Sequence, residues 1–582
     1  MPSSRSSIEP ATTDRPPSRF GRIAGVALVS ILALSPVAGA QDATTPGPGD
    51  PGEEGLFVES IDVNVVNVEV FVTDRRGNRV TDLTADDFEV YEDGRRVEIT
   101  NFYAVKDGRP TEPATPDSDQ QPPATRSPLP ELALPEEHQL HLVIYFDNLF
   151  LRPFNRNKLI DHVRSFVNER ARPDDRVMLA SFDRSLHVRH PFTTNHRAVL
   201  DEMEKLRKTT GFGVQQRTER RDVLRRIDGS RSASEALSHV EFYAESLQHD
   251  LNQSLEALRE VVSSLAGLPG RKALLYVSDG IPMSPAQDLF FLIDQQYKGN
   301  TTAPLVGTRY RARRKFDELA AQANANRVSF YTVEAAGLTT HESLSAEFGQ
   351  RETSIVEADV MRDINREEPL VRMAEKTGGL FALNTNNFDD AFERIGEDFG
   401  NYYSLGYSPV HSVAGRYHEI EVRVRRKGLT VRHRAGYRDK SPQTRMDEGT
   451  LAALVHGVER NPLGIRLETG RGRPDGTSSY LVPVLVRIPL GNIALIAQGD
   501  THRGAVRVSV AVMDQNQRTS PVTQTPVPID VPEGDVERAR GQDYVYQAEL
   551  LMRPGPHVVA IGVRDDLSED TSFVRHVVRA GS

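Results

Sequence analysis

The sequence predicts an α/β fold: a doubly wound, mostly parallel sheet flanked by a small N-terminal β-module and a C-terminal β-sandwich. Between residues 140 and 333, continuous apolar runs alternate with stretches that repeat apolar residues at helical spacing, which is typical of strands buried on both faces and covered by helices. Outside this region apolar and polar residues alternate one by one, as in sheets with one face in water. The apolar runs are Leu140–Phe146, Val177–Phe182, Lys272–Ser278 and Val328–Val333.

The composition is that of a soluble globular protein. With 582 residues the chain is too long for one ordinary core, and about three domains is the expectation. A formal net charge of -11 argues against extensive nucleic-acid binding. The absence of cysteine excludes disulfides, thiol catalysis, cysteine-ligated zinc, iron–sulfur clusters and lipoprotein acylation. Packing alone must therefore stabilise each domain.

Residues 1–40 show the order of features found in secretory signal peptides. Arginines precede the apolar run Ile23–Leu34, and the small residues Ala38-Gly39-Ala40 follow it. We expect cleavage before Gln41 and export to the periplasm or the extracellular space. A membrane-spanning helix needs about 20 apolar residues, so an uncleaved anchor or a buried helix is the less favoured alternative. No later segment is apolar enough to predict a transmembrane helix.

The next segments predict a spacer, a β-module and a linker. Residues 41–56 are rich in Pro and Gly and indicate a disordered spacer. Residues 57–105 predict a small β-module, with alternating valines and the turn signals Gly77-Asn78 and Asp93-Gly94. Residues 106–137 are rich in Pro and polar residues and indicate an exposed linker.

The rest of the chain predicts two larger domains. Residues 138–440 form the α/β domain, with a polar, helical insertion near residues 211–268 whose position the sequence does not determine. The segments Tyr417–Arg425 and Leu429–Arg434 predict a hairpin that closes this domain. Residues 450–582 alternate apolar and polar positions between Pro- and Gly-containing turns, which predicts a β-sandwich.

Two carboxylates follow two of the predicted buried strands. Asp147 comes at the end of the first strand, and Asp279 follows a later one in the context Ser-Asp-Gly. Open parallel sheets bind ligands at the carboxyl ends of their strands, so the two residues are candidates for one shared site. The interpretation we favour is structural: Asp147 caps a turn, and Asp279 accepts hydrogen bonds from local amides.

The central region resembles a von Willebrand factor A domain. In that family an Asp-x-Ser-x-Ser motif after the first strand, a loop Thr and an Asp in a Ser-Asp-Gly context hold a divalent cation. The resemblance implies that Asp147 and Asp279 correspond to the two aspartates and that Thr210 is a candidate for the loop threonine.

The same resemblance implies a degenerate metal site. The two serine positions of the motif hold Leu149 and Leu151, whose side chains have no oxygen and which we expect at the rim of the site. Mg²⁺ needs about six oxygen ligands, so we expect no cofactor unless Asn148 or water completes the shell of Mg²⁺ or another divalent cation.

Further motifs are similar to those of exported bacterial VWFA-related proteins, and together they cover about residues 57–438. The resemblance implies export and the doubly wound, Rossmann-like fold of the A domain, but no biochemical role. The last 140 residues or so lie outside it. The motifs are Val72-Thr73-Asp74, Leu83–Phe88, Tyr91–Gly94, Ile99–Phe102, Tyr402–Tyr407 and Arg434-Ala435-Gly436-Tyr437.

Signatures of enzymes are weak, and we expect no enzymatic activity. The pairs His187 and His190, and His138 and His141, have His-x-x-His spacing without a His-Glu-x-x-His helix, which favours surface histidines over a zinc site. Gly267–Lys272 is similar to a phosphate-binding loop but precedes a strand, whereas such a loop leads from a strand into a helix. The sequence has no Gly-x-Ser-x-Gly motif of a hydrolase.

The predicted insertion contains a group of arginines interleaved with acidic residues. This pattern favours a solvated helix face, and the alternative is a patch for an acidic partner. The arginines are Arg217, Arg220, Arg221, Arg225, Arg226 and Arg231.

These observations predict an exported protein–protein interaction module with protein partners and no nucleic-acid ligand. The alternative is a cation-dependent adhesion or binding receptor that uses Asp147 and Asp279. A third class, an enzyme with a site assembled between domains, requires a cluster of titratable residues that the sequence does not display.

Overall fold

The computed structural model describes residues 29–30, 65–106, 108–111, 139–298, 302–338, 353–409, 415–476 and 478–581. Several predicted features lie wholly or largely outside these ranges. They are the signal peptide with its cleavage site before Gln41, the spacer 41–56 and most of the linker 106–137.

The N-terminal part of the described chain consists of strands. The turn predicted at Asp93-Gly94 is confirmed: it is a tight hairpin turn that joins β3 and β4, and its two residues have φ of 48° and 78°, as a two-residue hairpin turn requires. The strands are β1 (Val29–Ser30), β2 (Val66–Thr73), β3 (Phe88–Glu92), β4 (Arg95–Val97), β5 (Asn101–Lys106) and β6 (Arg109–Thr111).

A six-stranded sheet forms the centre of the α/β domain. Its strands are β7 (Leu140–Asp147), β8 (Arg176–Phe182), β9 (Leu186–Thr193), β10 (Arg271–Ser278), β11 (Val328–Glu334) and β12 (Phe381–Ala382). Its helices are α1 (Pro153–Arg170), α2 (His196–Leu206), α3 (Gly213–Gly229), α4 (Ala233–Ser264), α5 (Gln287–Gln296), α6 (Thr302–Gly307), α7 (Arg313–Ala325), α8 (Thr353–Thr377) and α9 (Phe388–Gly400). The strand order is β12-β11-β10-β7-β8-β9, and all neighbours are parallel except β8 and β9.

Helices cover both faces of this sheet. Val143 and Tyr145 of β7 belong to the apolar core on one face, while Leu142 and Ile144 belong to the core on the other. Every residue of β7 is buried, which explains why its sequence is a continuous apolar run. The prediction of a mixed α/β fold with a mostly parallel sheet is confirmed.

The predicted insertion near residues 211–268 forms the two helices α3 and α4. The first half of α4 packs with α3, α5 and α6 around a separate apolar cluster that includes Val240, Tyr243 and Leu289. The second half of α4 covers the sheet through Leu255 and Leu258. We call α3, the first half of α4, α5 and α6 the cap helices.

Four strands after α9 complete the N-terminal module. They are β13 (Tyr402–Tyr407), β14 (Tyr417–Val424), β15 (Thr430–His433) and β16 (Gly436–Arg438). With the earlier strands they form two sheets, in the orders β15-β2-β13-β5-β6 and β16-β14-β3-β4, which share one apolar core.

The predicted hairpin between Tyr417–Arg425 and Leu429–Arg434 is therefore wrong. β14 pairs with β3 and β15 pairs with β2, so the two strands lie in different sheets. Their apolar side chains complete the core of the N-terminal module rather than close the α/β domain, whose predicted range of 138–440 includes them.

The prediction of a β-rich C-terminal region is confirmed. Helix α10 (Pro442–His456) leads into two antiparallel sheets that share one apolar core. The elements that follow are β17 (Arg466–Thr469), β18 (Arg473–Asp475), β19 (Ser479–Pro489), β20 (Ile496–Gln498), β21 (Thr501–Asp514), β22 (Thr523–Pro532), α11 (Val536–Arg540), β23 (Asp543–Met552), β24 (Gly555–Asp565) and β25 (Thr571–Ala580). β1, which falls in the predicted signal peptide, pairs with β23 at Leu550 and Glu549.

In the described ranges no helix combines the length and the apolarity needed to span a membrane.

Candidate functional site

The candidate site lies where the order of the parallel strands reverses. The chain runs outward from β7 to β8 on one side and from β10 to β11 on the other, and β7 and β10 are neighbours. Asp147 is the last residue of β7, and Asp279 follows the last residue of β10, so both lie at the carboxyl edge of this switch point. Open α/β sheets bind ligands at such a crevice.

Asp147 is sealed inside the protein. Its Oδ2 accepts hydrogen bonds from Tyr276 Oη at 2.6 Å and Ser254 Oγ at 2.7 Å, and its Oδ1 accepts one from the amide of Leu149 at 3.2 Å. The side chain has no exposed surface. Burial raises the pKa of Asp147 to about 6, although these hydrogen bonds act in the opposite direction.

The carboxylate of Asp279 has a different set of partners, all from the start of α1. Its Oδ2 accepts hydrogen bonds from the amide and the Nε of Arg152, at 3.0 and 2.8 Å. Its Oδ1 accepts a hydrogen bond from Asn155 Nδ2 at 2.8 Å. The structure thus brings the two aspartates to one edge of the sheet, but each carboxylate is bound by its own donors.

The two leucines of the motif point into the apolar cores. Leu149 and Leu151 have no exposed surface, and they pack in the cores on opposite faces of the sheet. The expectation that they lie at the rim of the site is wrong, because their apolar side chains are more stable in the interior. Their burial also fixes the backbone of the loop between β7 and α1.

Thr210 is exposed, and its neighbour Thr209 faces the site. Thr209 Oγ1 accepts a hydrogen bond from Arg156 Nη1 at 3.1 Å. The same Nη1 donates to Asn148 Oδ1 at 3.1 Å, and Nη2 donates to the carbonyl oxygens of Arg207 and Thr209. A guanidinium is thus bound by the loop that carries the candidate threonine and by the residue after Asp147.

Arg152 and Arg156 were not among the residues that the sequence analysis identified. They lie one helical turn apart at the start of α1, where Pro153 is the first helical residue. Arg156 has no exposed surface, and burial lowers its pKa to about 10. Two arginines four residues apart directly after the motif were a signal in the sequence, but spacing alone does not reveal their partners.

A cavity of about 360 Å³ lies between the carboxyl edge of the sheet and the cap helices. Its lining includes Arg152 and Asp279, Arg217 and Arg220 of α3, and Glu334 at the end of β11. Burial raises the pKa of Glu334 to about 7, and its Oε2 accepts a hydrogen bond from the amide of Asn384. The cavity therefore combines guanidinium groups with a carboxyl group that titrates near neutral pH.

The arginines of α3 do not form a uniform solvated face. Arg220 is buried, and its guanidinium forms salt bridges with Asp288 of α5 at 2.7 Å and Asp359 of α8 at 3.0 Å. Arg225 is exposed and pairs with Asp222 on the same helix. The prediction of a solvated face is wrong for Arg220, whose charge stabilises the packing of the cap helices.

The histidine pairs have separate environments. His187 Nε2 lies 2.7 Å from Asp183 Oδ1, and His190 Nδ1 lies 2.7 Å from the carbonyl oxygen of Pro191. His141 is buried, which lowers its pKa to about 3, and His138 lies outside the described residues. Within the described ranges, no three His, Asp or Glu side chains are grouped so that they could hold a metal ion.

Comparisons with known proteins give only weak likenesses. No protein-family model matches the chain, and no curated protein matches it. Among solved structures, an aerotolerance-related membrane protein from Bacteroides fragilis is 11% identical with a TM-score of 0.23, and the match covers 45% of this chain and 98% of that one. BatB from Bacteroides thetaiotaomicron is 13% identical with a TM-score of 0.22, covering 44% and 96%. The type V pili tip protein Mfa5 from Porphyromonas gingivalis is 9% identical with a TM-score of 0.23, covering 76% and 70%. These TM-scores are too low to support an argument about fold or function.

Proposed function

We propose that this chain is an exported, non-enzymatic protein-binding protein whose A-domain-like α/β unit works without a metal ion. The assignment to a von Willebrand factor A-like fold rests on the motifs in the sequence and on a doubly wound strand order with an antiparallel edge strand. In this proposal the carboxyl edge of the sheet is an interaction surface for a protein partner.

The buried guanidinium of Arg156 is the observation that carries the proposal. It donates hydrogen bonds to Asn148 and to Thr209, next to the positions where the family resemblance implies metal ligands. A divalent cation at this place meets an existing positive charge in a poorly solvated environment, which disfavours its binding. The internal arginine thus supplies the positive charge that a metal ion supplies in the family.

The alternative, a cation-dependent receptor that uses Asp147 and Asp279, has less support. Both carboxylates already accept hydrogen bonds from several donors, and a metal ion has to displace these donors before it can bind. Leu149 and Leu151 contribute no oxygen, so the protein offers far fewer than the roughly six ligands that Mg²⁺ requires. The residues present do not fit a resident divalent cation.

The lining of the cavity carries five arginines and five acidic residues, and its exposed arginine on α3 favours a contact with an acidic side chain of the partner. Arg217 lines the cavity and is exposed on α3, and Arg362 and Arg366 of α8 line it as well. Guanidinium groups bind carboxylates through charge-assisted hydrogen bonds. Arg362 forms salt bridges with Asp359 and Asp363. Arg366 donates to the carbonyl oxygens of Asp279 and Gly280. We therefore place the partner's contact at the part of the cavity lined by Arg217.

A binding experiment with and without chelator tests the proposal. In this experiment the mature chain is used as bait to capture partners from the envelope fraction. We expect the same amount of partner protein to be recovered in EDTA and in about 1 mM Mg²⁺. The Arg217→Glu variant should lose these partners, whereas Arg225→Glu, on the same helix but outside the lining of the cavity, should retain them. Recovery that requires Mg²⁺ would favour the cation-dependent receptor, and equal recovery by both variants would place the contact elsewhere.

A further inference from the structure

A second cavity, of about 330 Å³, lies at the opposite edge of the central sheet, where the N-terminal module, the α/β domain and helix α10 meet. The loop Gly267–Gly270 and the start of β10 form one wall. Val66 and Arg434 come from the N-terminal module, and Glu448 comes from α10. This loop is the segment whose sequence is similar to a phosphate-binding loop.

The charges around this cavity are mostly of one sign. Asp439 and Glu448 are the acidic side chains of its lining. The basic side chains of its lining are Lys272, Arg327, Arg434, Arg438, Lys440 and Arg445. The basic residues therefore outnumber the acidic ones three to one.

Part of this positive charge has a partner within the protein. Arg327 forms a salt bridge with Glu69 at 3.0 Å, and Lys440 forms one with Glu448 at 2.8 Å. Arg445 lies 3.8 Å from Asp439. These pairs neutralise about half of the basic side chains.

Lys272, Arg434 and the exposed Arg438 remain without a carboxylate at ion-pair distance among the described residues. Lys272 is 5% exposed, and its Nζ donates to the carbonyl oxygen of Asn326 at 3.1 Å. Arg434 is 7% exposed; its Nη2 donates to the carbonyl oxygen of Asn67, while its buried Nε and Nη1 have no hydrogen-bond partner in the described part of the chain. Buried donors without acceptors are costly and rare.

Burial lowers the pKa of both Lys272 and Arg434. Burial holds the pKa of Lys272 well below its ordinary range; the charges of Arg327 and Lys440 act in the same direction, and those of Glu69 and Glu448 act in the opposite one. Burial lowers the pKa of Arg434; the nearby carboxylate of Glu69 opposes this effect, and Arg327 adds to it. Helix α10 begins beside the cavity at Pro442, and its N-terminal dipole adds further positive potential.

We propose that this cavity binds a multivalent oxyanion, namely a phosphate group that is either free or attached to a small organic molecule. Side chains from all three units would contact it, so the bound anion would stabilise their junction. The volume lies within the range of small-ligand sites. The loop Gly267–Gly270 packs closely against α10. A Cβ at position 267 would lie 2.0 Å from the carbonyl oxygen of Glu448, so only glycine at this position lets α10 approach the loop.

Thermal unfolding and calorimetric titration with inorganic phosphate test this inference on the full chain at constant ionic strength. We expect phosphate to raise Tm in a saturable manner and chloride to have no such effect. The double variant R438E/R445E changes two exposed arginines of the lining, and we expect it to weaken phosphate binding by about tenfold or more. Its matched control is R538E/R540E, which alters net charge equally on exposed positions of α11.

An equal response of the two double variants, or no saturable response of the wild-type chain, overturns the inference. A second variant, Lys272→Met, removes the buried Nζ donor, and we expect it to abolish the rise in Tm while circular dichroism shows a folded protein. Titration with glycerol phosphate distinguishes the two sources: tighter binding than that of inorganic phosphate indicates an organic phosphate ligand, and equal or weaker binding indicates the free ion.

Discussion

Arg432 Nη2 donates hydrogen bonds to both carboxylate oxygens of Asp398, at 2.8 and 2.9 Å. Asp398 belongs to α9 of the α/β domain and is fully buried, while Arg432 belongs to β15 of the N-terminal module. Arg79 forms a second salt bridge with the same carboxylate, and Arg271 donates to its backbone carbonyl. One buried carboxylate therefore joins the two units.

Replacement of Asp398 by alanine should weaken this junction strongly. It leaves Arg432 and Arg79 buried without their counter-ion, which costs about 3–5 kcal/mol for a buried pair. Urea denaturation measures the change in the free energy of unfolding. The control is Asp389→Ala on the same helix, whose exposed side chain pairs with His162 and should contribute less than about 1 kcal/mol. A similar effect of both variants would contradict the assignment.

The raised pKa of Asp147 predicts a pH dependence of stability. The folded-state pKa of about 6 lies above the ordinary value of 3.8, so the folded protein holds this proton to higher pH than the unfolded chain does. The contribution of this group to stability is therefore largest below about pH 4, falls as the pH rises to 6, and is then constant. The difference between the two pKa values corresponds to on the order of 3 kcal/mol.

The Asp147→Asn variant isolates this contribution. Between pH 4 and 6 the wild-type free energy of unfolding should fall more steeply than that of the variant. Glu334, whose pKa is raised to about 7, contributes a fall of the same sign in both proteins and cancels in the comparison. If the free energies of unfolding of the two proteins change with pH in the same way, the pKa of Asp147 is not raised by burial.

The features that the sequence predicted correctly are those that depend on local patterns of residues. The alternation of buried strands and helices placed Asp147 and Asp279 at one edge of the sheet, because parallel strands share their carboxyl edge. The pairing of β13 with β2 is a contact between residues more than 300 positions apart, and no local pattern specifies it. Likewise the spacing of Arg152 and Arg156 does not indicate that their guanidinium groups bind Asp279 and Asn148, since such contacts depend on tertiary packing.

Arg220 should be essential for the packing of the cap helices. Its guanidinium lies between the buried carboxylates of Asp288 and Asp359, and Arg220→Met leaves both without this partner. We expect a loss of about 3–5 kcal/mol of unfolding free energy. The control Arg225→Met removes an exposed pair with Asp222 and should change stability by less than about 1 kcal/mol. Hydrogen exchange should show faster opening of α3 in the first variant; unchanged exchange there would contradict the prediction.

The last prediction concerns the divalent cation. A ligand that binds only the folded state stabilises it by RT ln(1 + [L]/Kd), so a site with a micromolar Kd adds about 4 kcal/mol at about 1 mM cation. We expect no resolvable change in Tm with Mg²⁺, Mn²⁺ or Ca²⁺ at that concentration, since Arg152 and Arg156 supply positive charge to this edge of the sheet.

Introducing hydroxyl groups at the two leucine positions should not create a metal site. The variant L149S/L151S recreates the motif, but each substitution removes a buried leucine and costs about 2–5 kcal/mol. Because Arg156 still donates to Asn148 and Thr209, the destabilised variant should gain no Tm from Mg²⁺. The matched variant L149A/L151A removes the same side chains without adding oxygen, and its response to Mg²⁺ should be the same. The contrary outcome is that Mg²⁺ raises the Tm of the serine variant only, and that adding Asp147→Ala to this variant removes the rise. This outcome would show that the leucines alone prevent metal binding and that the arginines do not.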